Sequence, residues 1–599
     1  TTEIYTLSLH DALPIYKIYD EAKKYINEEV KDEKEAISGA CDIVAERISD
    51  NADLRKALRK LIETKAFISC TLVENENSAT YETYANFKQE VSKIPSHRIL
   101  AINRGEKEKC LKVEVEFNRE LALNTIRKEF KKNNPDTDEL MENTIEDAYD
   151  RLLFPSLERE CRNDLTDKAD EQAIKMFEVN LKPLLMEAPL KNNIILGLDP
   201  AYRTGCKIAV IDKNGDVLDT TVIYPTPPQS KTEESIEKLK KLIEKYRVDV
   251  ISIGNGTASK ESEIFVAELL KHVSRPVSYA VVSEAGASVY SASKLGAEEF
   301  PDYDVSLRSA VSIARRLQDP LAELIKIDVK SIGVGQYQHD MPQNRLSEVL
   351  TGVVEDCVNS VGVDINTASP SLLSYVSGLN MSIAKNIVAY RAKVKGIKNR
   401  EELLNVSKLG PKAFEQCAGF LRVVGGDEIL DNTAVHPESY SATKKLLKLF
   451  DLTEEDVKNG NISRLPSLIE LKGEENVAKE CEIGVPTLND ITKELLKPGR
   501  DIRESMPKPV LRSDVITLED LQEGMVFDGV VRNVIDFGAF VDIGVHQDGL
   551  VHISQISDAF IKHPSEVLKV GDRVKVKIMS VDKAKKRISL TMKGIEEDK

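Results

Sequence analysis

Two short turns, each followed at once by an apolar-periodic run, constrain this chain more than any other feature. The first reads Ser377-Gly378-Leu379-Asn380 and opens the run Met381 to Ala392. The second reads Ser407-Lys408-Leu409-Gly410-Pro411 and opens a run through Phe420, with a basic connector, Lys393 to Arg400, between them. A glycine turn feeding a helix leaves backbone N–H groups free at the helix start, where the dipole also favours an anion. Pro411 takes the first helical position, where a missing N–H costs nothing. Between Ile383 and Val424 stand nine Lys/Arg against three acids, a local +6 in a chain of net −16. A basic island in an acidic chain is a footprint for a polyanion, and a solvated helical hairpin is the plain alternative.

The pair resembles tandem helix-hairpin-helix motifs, which grip nucleic-acid phosphates without reading bases. Each such hairpin carries Gly-x-Gly, and here Asn380 and Lys408 each take one of the glycine places. The residues expected to meet phosphate are Gly378, Lys385, Lys408, Gly410 and Lys412.

At 599 residues the chain is long enough for several domains, and 41% hydrophobic content supports true cores. No apolar run approaches ~20 residues, so no membrane span is expected, and no signal peptide is evident. Eight cysteines are scattered without a C-x-x-C pair, which fits reduced thiols in a cytoplasm and argues against structural zinc. The chain begins at Thr1 without methionine, and Thr1 to Ile15 does not continue into the charged register that starts at Tyr16. We read residues 1–15 as an extraneous or garbled tail.

Residues 16–188 are charged and helix-periodic and read as a helical scaffold, in which Arg98 and Arg104 are structural ion-pair residues or, alternatively, phosphate contacts. The pattern changes at 189–328. Ile194 to Leu198 is a short buried strand ending in Asp199-Pro200. Strands at Lys207 to Asp212 and Val217 to Tyr224 follow, and then helix and strand alternate as far as Val277 to Glu284. Three strands in meander followed by alternation is the ribonuclease-H-like order. Asp199, Glu284 and Asp319 can be drawn to one edge of such a sheet. There they would hold two magnesium ions for phosphodiester cleavage, or else serve as caps and solvated acids. Gly254-Asn255-Gly256-Thr257 cradles a phosphate or is a plain strand-to-helix loop. His339 reads as a satisfied structural histidine.

Residues 329–425 hold the hairpins, and 426–518 form a small helical domain and linker. In 519–599, five short alternating strands fit a closed OB barrel. Phe537, Phe540 and His552 lie near strand ends and offer stacking faces. Leu521 to Lys599 carries twelve basic and twelve acidic residues, so stacking must carry much of any binding. Phe537 and Phe540 are three apart, so burying both needs a bend at Gly538, which could equally expose both.

Five stretches together resemble the Tex family of transcription accessory proteins: Pro95 to Glu106, Ser283 to Tyr290, Ala314 to Pro320, Gly333 to Asp340 and Val363 to Ser369. The resemblance implies a helical scaffold, a YqgF-type ribonuclease-H-like domain, tandem helix-hairpin-helix units, a further helical domain and a C-terminal S1 RNA-binding domain. By the resemblance, the sequence is expected to be a fragment without the family's additional N-terminal helix-turn-helix-like region, and Ala201 stands where family members tend to carry glycine. By the same resemblance, Phe537, Phe540, His552, Asp582 and Arg587 fall at the RNA-contacting positions of S1 domains.

The chain is thus expected to be multidomain and mainly α, with an α/β ribonuclease-H-like domain and a C-terminal all-β OB-fold barrel. It is expected to be a monomeric cytoplasmic factor without enzymatic activity or cofactor. Its expected ligands are RNA and, second, DNA, with the transcription machinery as a partner. A magnesium-dependent structure-specific nuclease and a translation-associated RNA binder are the alternatives.

Overall fold

The computed structural model describes residues 15–131, 137–499, 501–506, 508–513, 521–535, 537–545, 548–561, 564–568, 572–582 and 587–595. The tail before Ile15 therefore lies outside the described residues. The chain divides into two compact units, residues 1–177 with 335–346, and residues 178–334 with 347–599.

The first unit is not all helix. Between the helices Ala52–Lys65 and Arg119–Phe130 it holds a three-stranded antiparallel sheet of order β2-β1-β3, with β1 Phe67–Leu72, β2 Asn86–Glu90 and β3 Leu111–Glu116. β3 reads Leu-Lys-Val-Glu-Val-Glu and buries every second residue, the period-2 signature of a half-buried strand. That alternation was legible, but it is six residues in a helix-rich stretch. Ile62, Ile68, Val113, Val115, Leu123 and Ile126 meet in the core of this unit.

In the helix Ser96–Lys107, Arg104 donates from Nε to Asp340 at 2.7 Å, and its guanidinium lies 4.5 Å from the centre of the Tyr337 ring. Arg98 instead donates to Gln89 at 2.8 Å and lies over Phe87. Both arginines are occupied within the protein, Arg104 in the expected ion pair and Arg98 by an amide and a ring. His339 is exposed, a correction to its reading as a satisfied structural histidine.

In the second unit, β4 (Ile195–Asp199), β5 (Cys206–Ile211), β6 (Val217–Ile223), β7 (Val250–Gly254) and β8 (Ser278–Val282) form one sheet of order β6-β5-β4-β7-β8. β4, β5 and β6 are antiparallel in meander, and β7 and β8 add parallel to β4. β4 and β5 are almost wholly buried, as near-continuous apolar runs demand. The helix Val305–Gln318 lies so close to β4 that a side chain on Gly197 would strike the carbonyl of Ala310.

The hairpin helices Met381–Val394 and Pro411–Cys417 follow, tied by a short parallel pair, β9 (Val363–Asp364) with β10 (Leu421–Arg422). A separate core of Leu446, Leu447, Leu465, Leu488 and Leu495 holds the next helical segment. The closed barrel is β11 (Val526–Ile535), β12 (Gly538–Asp542), β13 (Gly549–His552), β14 (Arg573–Asp582) and β15 (Arg587–Thr591), in the order β11-β12-β13-β15-β14.

Candidate nucleic-acid interface

Barrel strands alternate between core and solvent. In β12, Ala539 and Val541 are fully buried, so Phe540 projects from the opposite face. In β13, Val551 is buried, and Leu550 and His552 project outward. Phe540 pairs across with Leu550, and Gly538 pairs with His552. Phe540 and His552 therefore share one outer face, and the position facing His552 carries no side chain. A Cβ on Gly538 would overlap the Val551 carbonyl, so glycine is required there.

Phe537 precedes β12 and is 52% exposed, and its carbonyl accepts the Ile553 N–H at 2.9 Å. The His552 ring accepts the Ser554 N–H, which fixes its orientation. Neither Phe537 nor Phe540 belongs to the barrel core. Asp582 and Arg587 are paired in register where β14 passes to β15, with Arg587 exposed. Sequence reasoning passed over Asn533, which is exposed and in register with Phe540, because the bulge between Val531 and Asn533 breaks simple alternation.

At the hairpins the two imperfect turns explain each other. Gly378 (φ 78°) and Lys408 (φ 68°) occupy the same left-handed position. Gly378 adopts it freely, and it also lies against Gln416. Lys408 accepts a strain of about 1–2 kcal/mol. Asn380 and Gly410 are the corresponding caps. The Asn380 side chain accepts the Ile383 N–H at 3.0 Å, and Gly410 has no side chain to do so. Lys408 Nζ reaches Ser382 Oγ, at 3.3 Å, at the start of the first helix.

The charge of the island divides by residue type. Lys385, Lys393, Lys395, Lys398, Lys408 and Lys412 are all exposed. Arg400 is 1% exposed and donates to the carbonyls of Leu421 and Val435. Arg391 donates to the carbonyls of Ile365 and Ala368. Burial pulls the Arg422 guanidinium below its ordinary value. Three of the nine basic residues are therefore structural, a correction to the count, and the outward charge belongs to six lysines.

The three acids of the ribonuclease-H-like domain do not form one site: Asp199 and Glu284 lie near each other, and Asp319 is engaged by Arg503. Burial, and then the charge of Glu284, pushes the Asp199 carboxyl up to about 6, against a hydrogen bond from Ser309. Glu284 lies in the Gly254–Gly256 turn, and a Cβ on Gly256 would overlap its carboxylate. The expected phosphate cradle is thus filled by the protein's own anion. Asp319 caps the helix Pro320–Leu324 and accepts Arg503 at 2.7 and 3.2 Å. Sequence reasoning missed Arg503 because it lies 184 residues away, with no local signal.

Ribonuclease-H-like sheets hold divalent metal between strand-end carboxylates, and these residues do not fit that role. One acid is bound to an arginine, and one is packed into a glycine turn. Among the described residues, no group of three or more His, Cys, Asp or Glu is placed to hold a metal ion. That is a correction to the three-acid alternative.

A ribonuclease-H-like sheet, paired hairpins with lysines outward and a closed barrel with aromatic side chains outward together define a multidomain nucleic-acid-binding protein. Family models match in the same order. They are Tex central region-like over residues 16–177, Tex protein YqgF-like domain over 193–318, helix-hairpin-helix motif over 358–422, HHH domain over 428–503 and S1 RNA binding domain over 520–593. The chain is 51% identical to YdcI of Bacillus subtilis, described as uncharacterized, over 95% of this chain and 80% of that protein. It is 46% identical to the transcriptional accessory protein Tex of Neisseria gonorrhoeae, over 96% and 75% respectively. Protein YhgF of Escherichia coli is 45% identical, over 95% and 74%. The chain belongs to the Tex family. Among the described residues, no helix is long and apolar enough to cross a membrane.

Proposed function

We propose that this chain is a non-enzymatic transcription accessory factor of the cytoplasm that acts without a bound cofactor. The barrel holds single-stranded RNA by stacking bases on Phe537, Phe540 and His552, with Asp582 and Arg587 at the strand ends. The hairpins hold phosphate backbones, of RNA or of DNA, through Gly378, Lys385, Lys408, Gly410 and Lys412. The observation that carries this reading is the shared outer face of Phe540 and His552, with Phe537 exposed beside it. Exposed aromatic rings on a barrel whose charges balance are suited to stacking, which accepts any base. The name of the Neisseria gonorrhoeae relative supports the transcription role. The engagement of Asp319 by Arg503 and the packing of Glu284 into the Gly254–Gly256 turn support the absence of cleavage.

Ultraviolet crosslinking of the intact chain to uridine-rich single strands, with the modified peptides read by mass spectrometry, tests the reading. We expect adducts within residues 537–552. Crosslinks confined to the ribonuclease-H-like domain, or metal-dependent cleavage lost in Asp199→Asn, would overturn it.

A further inference from the structure

Each of the three acids in the ribonuclease-H-like domain has a buried basic side chain near it, although Arg503 is shared with Asp501 and Arg316 also feels Glu323. Asp199 and Lys207 are direct partners across β4 and β5, and opposed residues of an antiparallel pair project from the same face. Lys207 is 7% exposed, and its ammonium donates to the carbonyls of Thr204 at 2.7 Å and Gly205 at 2.8 Å. Arg316 is 4% exposed, and its Nη1 donates to the carbonyls of Ser283 at 2.8 Å and Ala285 at 2.7 Å, on either side of Glu284. Arg503 is 2% exposed and grips Asp319 with two nitrogens.

We propose that Lys207 and Arg316 are built-in cations that balance the Asp199–Glu284 pair in place of a divalent metal ion. In the same proposal, Arg503 withdraws the third acid, so that this sheet edge is a closed ionic joint. The proposal deepens the non-enzymatic reading above by naming what replaces the metal. Electrostatics favours it. A divalent cation needs several free oxygen ligands and a net negative site. Here the fixed charges supply opposite sign at every acid, in a setting where water screens little. Backbone carbonyls hold Lys207 and Arg316 in position, so neither can swing away to admit a metal.

Manganese binding to the intact chain, followed by electron paramagnetic resonance of the free ion, tests this directly. The unaltered chain should show no manganese site that depends on Asp199, and its titration should match that of Asp199→Asn. Lys207→Gln removes the charge and keeps a donor for the two carbonyls. It should bind manganese at least tenfold more tightly, and the further change Asp199→Asn should abolish that gain.

An Asp199-dependent site in the unaltered chain overturns the proposal, as does a folded Lys207→Gln chain without the gain. If Lys207→Gln fails to fold, the comparison of the unaltered chain with Asp199→Asn still decides. RNA affinity measured on the same samples reports on the function reading separately, because the barrel face takes no part in these ion pairs.

Discussion

Asp170, on the helix Phe154–Leu185, is 7% exposed, and its Oδ1 has no hydrogen-bond partner. Burial, and then the charges of Asp167, Asp340 and Glu171, push its carboxyl from the ordinary 3.8 up to about 6. A carboxyl that is harder to ionise when folded contributes stability that is full below about 3.8 and is lost as pH rises through about 6. The melting temperature of the unaltered chain should therefore fall relative to Asp170→Asn between about pH 4 and pH 6. Thermal melts across that range check it, and a pH-independent difference would contradict the assignment.

Two glycines make a matched stability test. Gly256 has no room for a Cβ beside Glu284, so Gly256→Ala should destabilise by about 1–3 kcal/mol. Gly39, inside the helix Glu33–Asp50, has nothing within 4 Å, so Gly39→Ala should stabilise by about 0.5–1 kcal/mol. Denaturant titration reads both, and equal signs would refute the packing argument. At this scale the sequence shows residue type but not direction. It places nine basic residues near the hairpins and cannot say that Arg391, Arg400 and Arg422 turn inward, because only packing decides which cation is buried.

Elements were more legible than contacts. The sequence expectation put strands at Lys207 to Asp212 and Val217 to Tyr224, and β5 and β6 lie there, because short apolar runs between turn residues leave little else to fold. The sheet β1–β3 was not anticipated, because six-residue strands in charged, helix-periodic surroundings give little periodicity to count. The hairpins were legible as turn-plus-helix units, and Lys408 and Lys412 stand exposed at the second turn.

If these two lysines neutralise phosphates, binding should weaken log–log with salt, by about 0.9 per phosphate on duplex or about 0.7 on single strands. Replacing both with alanine should flatten the slope by up to about two such units. An unchanged slope would mean that the six-lysine face meets something other than a nucleic acid.

Across the whole second unit, the chain after the helical segment is pinned back onto the ribonuclease-H-like sheet. Arg503 holds Asp319, and Arg512 exchanges two 2.8 Å backbone hydrogen bonds with Tyr279 on the edge strand β8. Covering an edge in this way removes a pairing hazard and turns the sheet into a support. None of this is legible in sequence, because the partners are more than 180 residues apart in the chain and no short motif joins them. The account's central claim is that the barrel's outer aromatic face is where single-stranded RNA binds. The most direct measurement is fluorescence anisotropy of a short labelled RNA with the intact chain and with Phe537→Ala/Phe540→Ala. At about 1–3 kcal/mol per stacked base, the double variant should lose roughly 30-fold or more in affinity with its thermal melt unchanged. An affinity equal to that of the unaltered chain would contradict the account.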